Sequence, residues 1–329
     1  MVRRLRRSAP SSRRAAIGAG IAALAGLCAA ALRRRHVSAA RVVELEGVTE
    51  SPALGPAAIV VNPGGGSADG VDLGGVRVRE LAEGEDLAGV LRSLADEGVA
   101  VLGVAGGDGS VGCAAQVACD RDRVLWVVPG GTLNHFARDL GLITPEQALE
   151  TLEAGRVAEV DMGEAAGIGF VNNASLGVYG DLVRRREALE RRMPKRLALL
   201  LAAARTLRGA TPMELEIDGE HHSAYLVFAG NDPYTGAGLT ARESLQEGLL
   251  DVRVLSAEGR LPRTSALWAI LASRRGRSRW LTQTLRPSLT VRLREPARLA
   301  HDGEVREVSG EIVFRTRPRC LRVLVPPAA

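Results

Sequence analysis

Three times in its first half the chain runs a short apolar stretch directly into a glycine-bearing loop. Ala57 to Val61 ends in Asn62-Pro63-Gly64-Gly65-Gly66-Ser67, Val99 to Val104 is followed by Gly106-Gly107-Asp108-Gly109-Ser110, and Leu125 to Val128 ends in Pro129-Gly130-Gly131-Thr132. Apolar runs this short, bounded by turn residues, are the pattern of strands buried on both faces. Between them Leu87, Val90, Leu91 and Leu94 recur at helical spacing until Gly98 stops them, and a helix of small residues follows Ser110. Thr144-Pro145-Glu146-Gln147 opens another helix, with Thr as cap, Pro in the first turn and Gln as capping-box partner. Val76 to Leu81 alternates in polarity as a further strand. Strands alternating with helices give a parallel sheet between two helical layers, with ligands at the carboxyl ends of the strands.

Past about Val157 the pattern changes. Val157 to Met162, Gly169 to Asn173, Met213 to Ile217, Ala224 to Ala229, Leu249 to Leu255, Ser288 to Leu293, Val305 to Val308, Glu311 to Phe314 and Leu321 to Val325 read as strands, with Asp218-Gly219 and Asp302-Gly303 as hairpin turns. Helical stretches at Leu182 to Leu207, bent at Pro194, and at Arg263 to Arg274 interrupt them. The expected architecture is therefore α/β: a three-layer parallel-sheet nucleotide domain over 57–156, then a mainly antiparallel β-sandwich domain over 157–329. The last strand is expected to return to the first domain. Aromatic residues are only 3% of a chain that is 46% apolar, so both cores must be built from Val, Leu, Ile and Ala.

The segment before residue 57 is a different material. Arginines precede a charge-free run from Ala15 to Leu32, and Arg33, Arg34 and Arg35 close it. Eighteen residues at about 1.5 Å each barely cross a hydrocarbon core of about 30 Å, so 15–32 reads as a membrane anchor, with a signal peptide or a disordered tail as alternatives, and 1–56 as an Arg-rich tail and linker. Basic residues are nearly all Arg, Lys195 being the only lysine, and the net charge of +5 is too small to imply nucleic acid; it fits an anionic surface or simply a solvated basic one. Cys28, Cys113, Cys119 and Cys320 are not spaced for zinc or for a disulfide framework, and read as buried thiols in a reducing compartment.

Glycine-rich loops at adjacent strand ends converge in space. Their backbone N–H groups and the helix start that follows suit a nucleotide phosphate. No Gly-x-x-x-x-Gly-Lys-Ser/Thr occurs, which excludes the P-loop fold. Gly107-Asp108-Gly109-Ser110-Val111-Gly112 matches the dinucleotide fingerprint in letters only, because no acidic residue ends the next strand. Asp108 in a phosphate loop would repel phosphate unless a cation bridges it or it bonds sugar or backbone, which favours metal-assisted phosphoryl chemistry.

These blocks resemble those of the diacylglycerol and sphingosine kinase family, which shares a fold with NAD kinases. Gly106 to Ser110 is similar to its GGDGT block, Asn62 to Gly66 to its NPxxG opening, and Pro129 to Arg138 to its PxGTxNDFAR block. Gly230-Asn231 through Gly236-Ala237-Gly238, Glu247-Gly248-Leu249-Leu250-Asp251-Val252 and Asp302-Gly303-Glu304 resemble its later elements, in family order. The resemblance implies an ATP-dependent lipid kinase at a membrane. Asn62, Gly106, Gly107, Asp108, Gly109, Ser110, Val111, Gly112, Gly131, Thr132 and Asn134 would hold ATP. Asp302, with Glu304 beside it, would take the proton from the lipid hydroxyl. Mg²⁺ would be held by the Glu247 side chain and the carbonyls of Ser244 and Leu249. Arg138 could neutralise transition-state charge.

The chain departs from the pattern at His135, where the family has Asp, at Cys113, where it has Glu, after Asn62-Pro63, where a basic residue is missing, and at Glu247 in place of Asp. Alternatives are therefore a catalytically impaired nucleotide- or lipid-binding regulator, and a kinase of another hydroxyl compound such as NAD. A His301–Asp302 dyad is disfavoured, because strand neighbours face opposite ways. His221-His222 read as an exposed hairpin and the arginines of 184–192 as a solvated helix face that could also steer the chain toward anionic lipid, while those of 274–279 with Trp280 have the composition either of an interfacial contact or of a basic loop with Trp280 packed on the core. The expected partners are ATP, a membrane lipid and the membrane surface, with no nucleic acid and with a homodimer left open.

Overall fold

The computed structural model describes residues 42–50, 54–62, 76–131, 133–190, 195–235, 241–258 and 281–327. The anchor reading of 15–32, Pro63 to Ser67, Thr132, the bend at Pro194, Gly236 to Gly238, the helix expected at Arg263 to Arg274 and the Arg-rich stretch ending at Trp280 lie outside those residues. Among the described residues no helix is long and apolar enough to cross a membrane.

The first half contains β1 (Thr49–Glu50), β2 (Ala57–Val61), β3 (Val76–Glu80), α1 (Leu87–Asp96), β4 (Val101–Gly106), α2 (Asp108–Asp120), β5 (Val124–Pro129), α3 (His135–Asp139) and α4 (Pro145–Ala154). Strands β3, β2, β4 and β5 pair in parallel in that order. Along β2 the side chains alternate between two cores. Ala58 and Val60 face the core under α1 and α2, while Ile59 and Val61 face the one under α4. That alternation is the three-layer arrangement, and it explains why the strands are apolar throughout. The Asp86 side chain caps α1 by accepting from Ala88 N–H at 3.1 Å, and α4 opens on the Thr144/Gln147 capping box.

The second half contains β6 (Arg156–Ala165), β7 (Ile168–Phe170), β8 (Asn173–Gly177), α5 (Tyr179–Glu190), α6 (Lys195–Gly209), β9 (Met213–Ile217), β10 (Glu220–Asn231), β11 (Tyr234–Thr235), β12 (Ala241–Arg242), β13 (Leu250–Ser256), β14 (Leu281–Arg286), β15 (Ser288–Leu293), β16 (Ala297–His301), β17 (Glu304–Val308) and β18 (Glu311–Leu324). Antiparallel order β17-β16-β8-β10-β9-β15-β18 curls around a sandwich core that includes Phe170, Leu176, Val227, Leu289, Val291 and Phe314. Helix α6 covers the outer face of β10 through Leu207, Tyr225 and Phe228.

Strand β18 joins the two halves. Glu311 to Phe314 and Leu321 onward, which read as two strands in sequence, form one 14-residue strand with a register break between Arg317 and Leu321. Its first part pairs with β15, and its end pairs in parallel with β5 through Arg322 and Val323. Contrary to the expectation of buried free thiols, two of the cysteines are paired. Cys119 at the end of α2 and Cys320 in β18 form a disulfide across 201 residues of sequence. Spacing cannot reveal a pair brought together only by the return of the last strand. Cys113 is free and half-buried.

Candidate active site

The two central glycine loops touch. A Cβ on Gly131 would overlap the Gly107 Cα, and one on Gly106 would stand 2.8 Å from the Ser110 Cβ, so neither position has room for a side chain. The Asn134 side chain clamps the second loop, accepting from Gly131 N–H and donating to the Gly131 carbonyl, both at 2.9 Å. Asn134 reaches this from the left-handed region at φ 50° and is buried, so its visible work is to hold the loop. Helix α2 starts right after Gly107 with no side-chain cap, which leaves its first-turn N–H groups open to an anion. The Asn62 amide donates to the Ser110 hydroxyl at 3.3 Å and ties the first loop to the same helix start.

The β16–β17 hairpin brings the second domain against this helix. Asp302 and Gly303 have φ of 42° and 94°, the two-residue turn with both φ positive that an Asp-Gly pair forms readily. The family resemblance gave the proton-taking role to Asp302 with Glu304 beside it, and the structure gives the two carboxylates different surroundings. Asp302 is 5% exposed and its carboxylate accepts three backbone N–H groups: Val171 at 2.7 Å, Asn172 at 2.9 Å and Asn173 at 3.2 Å. These donors exist because the strand expected over Gly169 to Asn173 breaks between β7 and β8 and turns its amides inward. Burial pushes the Asp302 carboxyl up to about 7, opposed by the Val171 N–H and reinforced by Asp108. A carboxylate spent on three amides is an anchor. Glu304, by contrast, is exposed and lies against the first turn of α2, its Cγ 3.1 Å from where a Gly109 Cβ would be. On the next turn a Gly112 Cβ would stand 2.6 Å from the Asp302 Oδ2. Glycines 109 and 112 therefore leave room for the hairpin carboxylates.

Beside this contact a cleft of about 620 Å³ opens between the domains. Gly109, Ser110, Cys113 and Gln116 line its α2 wall, and Glu304 and Arg306 its β17 wall, with Arg92 and Asn62 also facing it. Arg92 and Arg306 were missed in the sequence. Arg306 was findable, since it follows Glu304 by two residues on a strand and so shares its face. Arg138, by contrast, is not among the residues lining this cleft. Burial, then Glu304, raise the Cys113 thiol to about 11, so it is a neutral wall of the cleft. His135 opens α3 deeper in, where burial lowers its imidazole below the ordinary value while Asp108 and Asp139 partly offset that. His301 is buried, and burial likewise keeps it neutral.

The loop from Ser244 to Leu249 lies away from this cleft, over two buried carboxylates. Asp161 accepts from Gly248 N–H and Arg319 N–H, and Asp232 accepts from Glu247 N–H at 3.0 Å while donating its own N–H to the Leu249 carbonyl. The second Asp232 oxygen is buried without a partner, and burial, then Asp161, push that carboxyl up to about 8. Two buried carboxylates this close need a proton or a cation between them. An exposed Glu247 and neighbouring carbonyls are hard oxygen donors of the kind Mg²⁺ takes together with water, so the donor set fits the ion.

A model of the diacylglycerol kinase catalytic domain matches residues 56–165, and one of the YegS C-terminal NAD kinase beta sandwich-like domain matches 173–325. The chain is 30% identical over 262 residues to a Pseudomonas fluorescens protein named "Probable lipid kinase YegS-like", covering 76% of this chain and 86% of that one. This chain belongs to the diacylglycerol kinase-like lipid kinase family. It is also 31% identical over 208 residues to a diacylglycerol kinase of Mycobacterium tuberculosis, covering 56% of this chain and 65% of that one. Among solved structures, a Bacillus anthracis chain aligns with TM-score 0.63 at 21% identity, covering 82% of this chain and 95% of that one. A Bacillus anthracis diacylglycerol kinase aligns with TM-score 0.56 at 18% identity, covering 82% and 97%. Both structures share the α/β nucleotide domain and β-sandwich described above.

Proposed function

We propose that the protein transfers the γ-phosphoryl group of ATP to the hydroxyl of a membrane lipid, with Glu304 as the general base. The observation that carries this reading is the exposed Glu304 carboxylate against Gly109, at an uncapped helix start on the edge of the interdomain cleft. ATP phosphates would take the open first-turn N–H groups of α2, from Asp108 to Ser110, beside the loop at Gly131 and Thr132. An alcohol is a weak nucleophile, so a carboxylate within reach of its proton is needed as it attacks. Glu304 meets that requirement, and Asp302 holds the hairpin that carries it. Arg92 and Arg306 supply positive charge to the transferring group, which is where most of the stabilisation of a loose phosphoryl transition state arises. Mg²⁺ held through Glu247 and the carbonyls of Ser244 and Leu249 would neutralise the buried Asp161–Asp232 pair beneath that loop. The family's sandwich domain and the basic surface support a lipid acceptor taken from a membrane surface.

The test offers the full chain with Mg²⁺ and γ-labelled ATP to diacylglycerol, ceramide, sphingosine and phosphatidylglycerol in mixed micelles. Label in one lipid, lost in Glu304→Gln while ATP still binds, is the expected result. ATP binding with no label in any lipid would sink the proposal.

A further inference from the structure

Behind the hairpin anchor lies a buried cation that none of the family-like blocks contains. Arg242, in β12, is 1% exposed and its guanidinium is fully engaged. Nε and Nη2 donate to Asp139 Oδ2 on α3, Nη1 donates to the carbonyls of Val171 at 2.6 Å and Asn231 at 3.0 Å, and Nη2 donates to Asn172 Oδ1 at 3.2 Å. The ring of Tyr234 lies under it, 5.4 Å from centroid to Cζ.

Two of these acceptors are one end of an amide whose other end touches the site. The Val171 carbonyl belongs to the peptide whose N–H is that of Asn172, and that N–H donates to Asp302 Oδ1 at 2.9 Å. The Asn172 side-chain carbonyl takes Arg242, and its NH₂ donates to Asp108 Oδ1 at 3.3 Å. Asn172 has no freedom to reverse. Its backbone carbonyl accepts from the Tyr234 hydroxyl at 3.0 Å and from Asn231 N–H at 2.8 Å, so every polar group it owns has a partner.

We propose that Arg242 is a positioning residue for phosphoryl transfer, holding two amides in line so that both point an N–H at the site carboxylates Asp302 and Asp108. The inference rests on the lipid-kinase reading of the same site. Its physical basis is polarisation. A cation on the carbonyl end of an amide strengthens the donor at the nitrogen end, and such chains gain in a poorly solvated interior. The first relay favours an ionised Asp302, where burial and the charge of Asp108 oppose ionisation. The other charged or titratable groups around Asp302 are Asp108 from α2, Tyr234 from β11, and its own neighbours His301 and Glu304. None of these groups carries a fixed positive charge, and the charge of Arg242 reaches Asp302 through the Val171–Asn172 amide. With Asp302 protonated, its grip on the Val171 to Asn173 amides weakens, and Glu304 loses its fixed place.

The test uses the full chain as Arg242→Met with Asp139→Asn, which removes both charges so that none is left buried alone. The pH profile of kcat/KM and the pH dependence of the melting temperature are read together. The expected result is an acid limb moved up by at least one pH unit, about tenfold lower kcat/KM at the foot of that limb, with the KM for ATP changed by less than about threefold. The melting temperature should keep falling to a pH at least one unit higher than in wild type. Arg242→Lys guards against a folding failure: it keeps the charge but loses the fork, and it should move both profiles the same way by less. Profiles that superpose on wild type in a folded variant would overturn the relay. If wild type labels no lipid at all, the kinase reading fails on its own, and the melting profile still decides the relay.

Discussion

Replacing Gly112 with Ala separates stability from activity in this site. The added methyl sits in the middle of α2, where Ala is favoured over Gly by about 0.8–1 kcal/mol. The same methyl would stand 2.6 Å from Asp302 Oδ2, and ordinary contact begins near 3.4 Å. Asp302 cannot swing aside cheaply, because three backbone amides and its left-handed turn fix it. The hairpin must therefore retreat from α2 by roughly 0.8 Å, at a cost of about 1–3 kcal/mol for overpacking. Gain and cost nearly cancel, so the melting temperature should change by only a few degrees. Glu304 rides on that hairpin two residues away. A misplacement approaching 1 Å at a reacting group costs on the order of 10²-fold in rate. The assay is kcat/KM for lipid phosphorylation beside thermal melts, with Gly209→Ala as control, since nothing lies within 4 Å of a Cβ there. A Gly112→Ala enzyme that keeps wild-type kcat/KM within threefold would refute the claim that α2 and the hairpin are packed to contact.

Asp302 also sets a pH dependence. A carboxyl raised to about 7 adds stability that is fully present below about pH 4 and is lost as pH rises through 7. Thermal melts should decline across that window and flatten in Asp302→Asn. Removing the Cys119–Cys320 bridge, by Cys119→Ser or by reductant, should cost about 2–5 kcal/mol, the range for native disulfides. Thiol titration of the unreduced, unfolded chain should find two groups, not four. Cys113, held near 11 by burial and Glu304, should alkylate slowly at neutral pH, and Glu304→Gln should speed it. A Cys113 that already reacts like a free thiol in solution would contradict the burial seen here. Glu304→Gln should lower kcat by about 10²-fold or more while the dissociation constant for ATP stays within threefold.

Local rules were enough for the elements. Short apolar runs and glycine loops specify the parallel sheet, because a strand buried on both faces has no other pattern. Asp-Gly pairs specify hairpins at 218–219 and 302–303, because few other pairs take two positive φ values cheaply. The family blocks placed Glu304 and the helix start of α2 in one site. The rest depended on contacts between distant segments. Asp302 and Glu304 differ in role because one points under the hairpin into the Val171 to Asn173 amides and the other out to the cleft, and composition cannot say which. Cys119 meets Cys320 only through the return of β18 beside β5, 201 residues on. Arg242 looks in sequence like one more surface arginine in an Arg-rich chain. Only the folded structure closes α3, β12 and the β7–β8 turn around it, and a charge taken out of water on all sides must find its partners there.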